Sequence, residues 1–137
     1  MESSYVMMLL AAVASMIVGG IWYGPLFGKK WMEVIGVAEM SAEKQKEMQK
    51  KALPLYGTQF VLTLLQVYVL ANLIWWTGET EKAIGIAFFM WLGFILPTLA
   101  GGAMWTNNSA RIKWMQFLIQ AGYQLIMFIL FGYLFSL

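Results

Sequence analysis

The chain carries few residues that can do chemistry. Among its 137 residues there is no Cys, no His and no Asp. Thiolate nucleophiles, disulfides, imidazole acid–base catalysis and the common zinc sites are therefore excluded. The nearest approach to a catalytic motif is Gly24-Pro25-Leu26-Phe27-Gly28-Lys29. A phosphate-gripping P-loop spaces its glycines one residue wider, has Ser or Thr after the lysine, and follows a strand. Here Lys30 follows, and an apolar helical run precedes. The nucleotide reading fails, and no residue stands out as catalytic, cofactor-binding or metal-ligating. A net charge of +2 does not point to nucleic acid.

What remains is amide chemistry inside apolar segments. Tyr56, Gln59, Thr63 and Gln66 fall within one narrow arc at about 100° per residue, and Gln116, Gln120 and Gln124 form a second arc. Asn72 lies off the first. Such stripes face protein or water rather than lipid, and two readings stand side by side. They hydrogen-bond between helices, or they line a polar pocket or path. No Glu, Lys or Arg accompanies them at membrane depth, which argues against proton-coupled transport.

The elements that hold these stripes follow from charge spacing. Residues 3–28, 52–78, 83–110 and 114–137 carry no charge. Each run exceeds the roughly 20 helical residues that cross a hydrocarbon core of about 30 Å. The sequence predicts an all-α, integral membrane four-helix bundle in a single domain, residues 1–137, with spans near 4–23, 55–76, 83–106 and 114–136. The loop over 24–54 holds Lys29, Lys30, Lys44, Lys46, Lys50 and Lys51, and that before the fourth span holds Arg111 and Lys113. The opposite loop has Lys82 alone. Positive charge marks the cytoplasmic side, so both termini face outward from a plasma membrane. The first span is read as uncleaved, because Met-Glu-Ser-Ser lacks the basic start of a signal peptide. Six of the seven tryptophans fall near span ends, and Trp91 alone lies well inside.

Residues 42–51 are read as a short cytoplasmic helix capped by Ser41, with Glu43–Lys46 and Glu47–Lys51 spaced for ion pairs and Pro54 near its join to the second span. It is a solvated connector, or its lysines meet anionic headgroups. Ala11, Ser15 and Gly19 form a small-residue ridge, as do Gly93, Pro97 and Gly101, and both suit self-association. Pro97 predicts a kink. Gly19-Gly20, Trp22 and Lys30-Trp31 are echoed by Gly101-Gly102, Trp105 and Lys113-Trp114, which raises the layout of two parallel two-helix hairpins. Asn107-Asn108-Ser109 matches a glycosylation pattern but lies on the predicted cytoplasmic side.

Three segments carry a resemblance: WYGPLFGKKWMEVIG at Trp22 to Gly36, LGFILP at Leu92 to Pro97, and QAGYQLIMFILFGYL at Gln120 to Leu134. Together they resemble the small multi-span membrane proteins of domain-of-unknown-function family 1761. The aromatic-Gly-Pro-Leu-Phe-Gly-Lys-x-Trp segment is the most specific part. The resemblance implies a short, prokaryotic, multi-span protein and no assigned activity. Trp22, Tyr23, Gly24, Pro25, Phe27, Gly28, Trp31 and Pro97 are read as its packing residues. Trp22 and Tyr23 are placed at headgroup depth, Gly24-Pro25 ends the helix, and the turn packs near Trp105. The functional expectation is a non-enzymatic module in the lipid bilayer, self-associating, that binds a lipid, a small hydrophobic ligand or a partner, without cofactor or nucleic acid. The alternative is a small passive channel or carrier along Gln59, Thr63, Gln66, Gln116, Gln120 and Gln124. A weaker third possibility is a membrane enzyme that borrows an external cofactor such as a thiol.

Overall fold

The computed structural model describes residues 2–137, with side chains from Tyr5 onward; Met1 of the tail weighed above as a signal peptide lies outside the described residues. The chain runs α1 (Glu2–Ile21), a π-helical turn (Trp22–Leu26), α2 (Gly28–Val34), α3 (Ala42–Thr77), a 3-10 turn (Thr80–Lys82), α4 (Ala83–Met90), a second π-helical turn (Trp91–Ile95), α5 (Leu96–Met104) and α6 (Ala110–Ser136). Four segments are long and apolar enough to cross a membrane: Tyr5–Leu26, Ala42–Thr77, Thr80–Met104 and Ala110–Ser136. This is the helical membrane bundle that the charge-free runs predict.

The caps explain where the helices start and stop. Ser41 Oγ accepts from the Lys44 N–H at 3.3 Å, and Ser109 Oγ accepts from the Ile112 N–H at 3.4 Å. Each satisfies one of the orphan donors of a first turn. Gly36 (φ 78°) and Gly78 (φ 72°) adopt the left-handed conformation that follows a helix end. At Gly36 the N–H of Val37 reaches back to the Met32 carbonyl at 2.9 Å and that of Gly36 to Glu33 at 3.2 Å, a Schellman closure.

The join expected at Pro54 is absent. α3 is one helix of 36 residues, about 54 Å at 1.5 Å per residue, and Pro54 lies inside it. Proline removes the bond to the carbonyl four residues back, here Lys50. Lys50 is exposed, so water can take that carbonyl and the helix continues. The loop before α3 is tied to it by the Gln45 amide, which donates to the carbonyls of Val37 (3.0 Å) and Met40 (3.3 Å). The pairs Glu43–Lys46 and Glu47–Lys51 do not form. The ion pairs described are Lys82–Glu79 and Arg111–Glu33, each at 3.0 Å. Long exposed side chains gain too little from such contacts to be held in them.

α6 packs against α1, α2, α4 and α5, and α3 rests chiefly on α1. The core draws Met8 and Ala11 from α1, Val67, Leu70, Ala71 and Ile74 from α3, Ala83 and Ala87 from α4, and Met127, Phe128, Phe131 and Phe135 from α6. Lipid is as apolar as these side chains, so burying them supplies little drive; close packing and interhelical hydrogen bonds do the holding. The closest approach is at Gly132, where an added Cβ would lie 2.7 Å from Ile84 Cα and 2.9 Å from the Ala83 carbonyl oxygen. The α1 ridge is consumed in the same way: Ala11 and Ser15 are fully buried, and a Cβ on Gly19 would sit 2.8 Å from the Tyr123 hydroxyl. It is therefore closed to a second molecule. The ridge at Gly93, Pro97 and Gly101 is open.

Candidate functional site

Two regions hold the side chains singled out by the sequence. The first is an aromatic cluster where α1 meets α6. Pro25 has no N–H, and its ring would crowd the Ile21 carbonyl in a regular helix. The chain responds with a wider turn, closed by the Phe27 N–H on the Trp22 carbonyl five residues back at 3.0 Å. Gly24-Pro25 thus widens the helix instead of ending it, and the break comes at Phe27 (φ −123°, ψ 14°).

The wide turn swings Trp22 inward, where its indole N–H donates to the Ile119 carbonyl of α6 at 2.9 Å. Gly122 makes room, since a Cβ there would lie 2.9 Å from Trp22 Cζ2. Phe27 packs on Trp22 at 4.8 Å, and Tyr23 meets Trp31 at 4.9 Å and Tyr123 at 5.4 Å, both edge to face. Gly28 lies so close to the Tyr23 carbonyl that its Cβ would be 3.1 Å away. Tyr123 completes the set by donating to the Ser15 carbonyl at 2.7 Å.

The second π-helical turn repeats the device. The Leu96 N–H closes it on the Trp91 carbonyl, just before Pro97, and the Trp91 indole donates to the Ala121 carbonyl at 3.1 Å. Trp22-x-Gly24 and Trp91-x-Gly93 therefore hold α6 at two carbonyls two residues apart. Trp22 and Tyr23 pack inward against α6 and Trp31. Trp22 does not correspond in environment to Trp105, which is 83% exposed. The first exit packs on α6, and its structural counterpart is Trp91. Sequence reasoning missed Gly122, Tyr123 and the role of Trp91. An indole in mid-span must find an acceptor, and that was the available signal.

The second region is a furrow between α3 and α4, open to the side of the bundle. Gln66, Val69 and Leu73 line one wall, Met90 and Phe94 the other, and Phe128 of α6 lies at the back, around a volume of about 380 Å³. A second hollow of about 550 Å³, which shares Met90 with it, is bounded by Thr77, Lys82 and Phe89. The walls are apolar except for the Gln66 amide. Its carbonyl oxygen is buried and has no hydrogen-bond partner in the chain, and the same holds for Gln124. Of the other stripe residues, Gln59 donates to Thr63 Oγ1 at 3.2 Å within its own helix, and Thr63 is fully buried. Gln116 and Gln120 are half-buried on α6, and Tyr56 is exposed. Of the six candidate path residues, Gln66 alone lines either hollow. The Arg111–Glu33 pair bridges α6 and α2, which puts the two basic loops at one end of the bundle.

The model of a family described as "Protein of unknown function (DUF1761)" matches residues 6–136, nearly the whole chain. No curated protein and no solved structure matches.

Proposed function

The chain belongs to the DUF1761 family, and from that premise we propose a non-enzymatic membrane module whose working surface is the α3/α4 furrow. Its occupant is apolar and embedded in the membrane, a lipid chain or a hydrophobic helix. The observation that carries this reading is the furrow itself: about 380 Å³ of apolar space, within the size range of ligand pockets, open on the side of the bundle. The module resides in a prokaryotic plasma membrane with both termini outside, since eight basic residues flank one face and Lys82 alone the other. Single cysteines at Ser41 and Thr80 test that orientation, because the native chain has none. An impermeant thiol reagent on intact cells is expected to label Thr80→Cys only; labelling of Ser41→Cys alone reverses the topology.

Native mass spectrometry of protein released from lipid nanodiscs tests the furrow. The wild type is expected to retain an adduct, either lipid or a second chain. Leu73→Trp, which fills the furrow, loses it, and Leu118→Trp on the exposed face of α6 keeps it. Equal retention in all three sinks the reading.

A second reading rests on the partnerless carbonyls of Gln66 and Gln124, which could bond water along a path. It predicts solute flux in proteoliposomes that falls when Gln66 and Gln120 are replaced by Leu. Unchanged flux, or none at all, removes it.

A further inference from the structure

We infer that the furrow is occupied by α3 of a second copy of this chain, in a parallel pair whose seam is closed by Gln59 and Gln66. This rests on the furrow reading above and names its occupant.

The first ground is an unpartnered stripe. Leu55, Leu62, Val69 and Trp76 recur every seven residues on α3, and Gln59, Gln66 and Leu73 recur every seven on the adjoining position. The combined spacing of four and three residues is that of a helix seam wound against another helix. Leu55, Gln59, Leu62, Val69 and Trp76 are exposed, Leu55 and Trp76 at 65% and 78%, and Gln66 and Leu73 are half-buried. The face that α3 gives to its own bundle is a different one, Thr63, Val67, Leu70, Ala71 and Ile74.

The second ground is the depth of an amide. Gln66 lies 11 residues from the outer end of α3 at Thr77. At 1.5 Å per residue that is about 17 Å, near the middle of a hydrocarbon core of about 30 Å. An acyl chain at that depth offers no donor or acceptor to the outward part of the Gln66 amide. A second glutamine offers both. Every copy enters the membrane with the same orientation, and two copies related by a two-fold axis along the membrane normal therefore set α3 parallel to α3. In a parallel seam each layer meets itself: Gln66 faces Gln66 and Gln59 faces Gln59. The Gln66 oxygen is enclosed in its own chain while its amide nitrogen is not; rotation about the last torsion in one copy turns an oxygen toward the other copy's nitrogen, so the pair forms one interhelical hydrogen bond.

The charges outside the bilayer permit the same register. In a parallel pair the flanking lysines Lys44 and Lys51 come opposite Gln49 and Tyr56 of the second copy, not opposite like charges.

Oxidative cross-linking in membranes at native expression tests this, with single cysteines on the Cys-free chain. Leu62→Cys and Val69→Cys lie on the seam; Val61→Cys and Tyr68→Cys are equally exposed off it. Disulfide-linked dimers are expected at 62 and 69 and not at 61 and 68. Adding Gln66→Leu to Val69→Cys is expected to lower the dimer yield at least twofold, although leucine suits the bilayer and keeps the helix. Equal yields at all four positions mean random collision and overturn the proposal, as does a cross-link to a different protein. If no dimer forms but lipid adducts survive and are lost in Leu73→Trp, the second copy is overturned and the furrow reading stands. If neither appears, both fall.

Discussion

The aromatic cluster and the furrow are built from similar residue types and end in opposite states. The indoles of Trp22 and Trp91 and the Tyr123 hydroxyl find backbone carbonyls on other helices, at 2.7–3.1 Å, and glycines at 19 and 122 yield the space. In the furrow the Gln66 amide has a partnerless carbonyl, and α3 from Ala42 to Leu62 is mostly exposed. In a bilayer, apolar contact does not discriminate helix from lipid, so the finished part of the molecule is the part whose polar atoms are satisfied and whose backbones touch. The contrast marks the α1–α6 and α4–α6 contacts as the closely packed part, Gln124 of α6 apart, and one side of α3 as the open part.

The comparison breaks most sharply at glycine. Gly132→Leu puts a side chain into the Ala83 and Ile84 backbone, which cannot yield, and is expected to cost about 3 kcal/mol or more. Gly57→Ala, in the N-terminal half of α3 with nothing within 4 Å, is expected to be neutral or to stabilise by up to about 1 kcal/mol through helix propensity. Unfolding in mixed micelles by denaturing detergent measures both. A similar cost at the two sites would remove the distinction between a finished and an open region.

The next effect resolves the cluster itself. Gly122→Ala forces Trp22 to move and is expected to cost about 1–2 kcal/mol. In a Trp22→Phe background the smaller ring leaves room, so the same substitution becomes nearly free, and the cycle returns a coupling of about 1 kcal/mol. Trp91→Phe removes one interhelical bond and is expected to cost about 0.6 kcal/mol, in keeping with membrane hydrogen bonds. Additivity of Gly122→Ala and Trp22→Phe would mean that Trp22 does not occupy the space Gly122 leaves.

How much of this was legible in the sequence depends on which atoms carry the interaction. The four spans were legible because charge is excluded from a hydrocarbon core whatever the packing. The caps at Ser41 and Gly78 follow from local backbone needs, and Ser41 was readable. The partners of Trp22, Trp91 and Tyr123 were not, because they are backbone carbonyls and leave no side-chain signature. Their only traces are glycines whose role depends on which helix lies opposite. Pro54 was misread for a related reason: whether a helix runs on through a proline depends on what surrounds the carbonyl it frees, and Lys50 is exposed. The glutamine stripes were legible as stripes, since periodicity is a property of one helix. What faces them is a property of two.

The smallest expected effect lies between the two regions, at the Arg111–Glu33 pair that pins α2 against α6. Both side chains are exposed, the Arg111 side chain at 68%, so water and salt screen their attraction. Arg111→Gln is expected to cost no more than about 0.5 kcal/mol, and less as salt rises. The consequence is kinetic and local. α2 has seven residues and no buried one, and this pair and Trp31 against Tyr23 add to its packing on α6. Freed of the pair, α2 is expected to exchange its amide hydrogens faster while α1 and α6 keep their protection. Equal acceleration through α6 would mean that the ion pair supports the bundle and not merely its edge, and the boundary drawn between finished and open regions would then have to be moved outward to include α2.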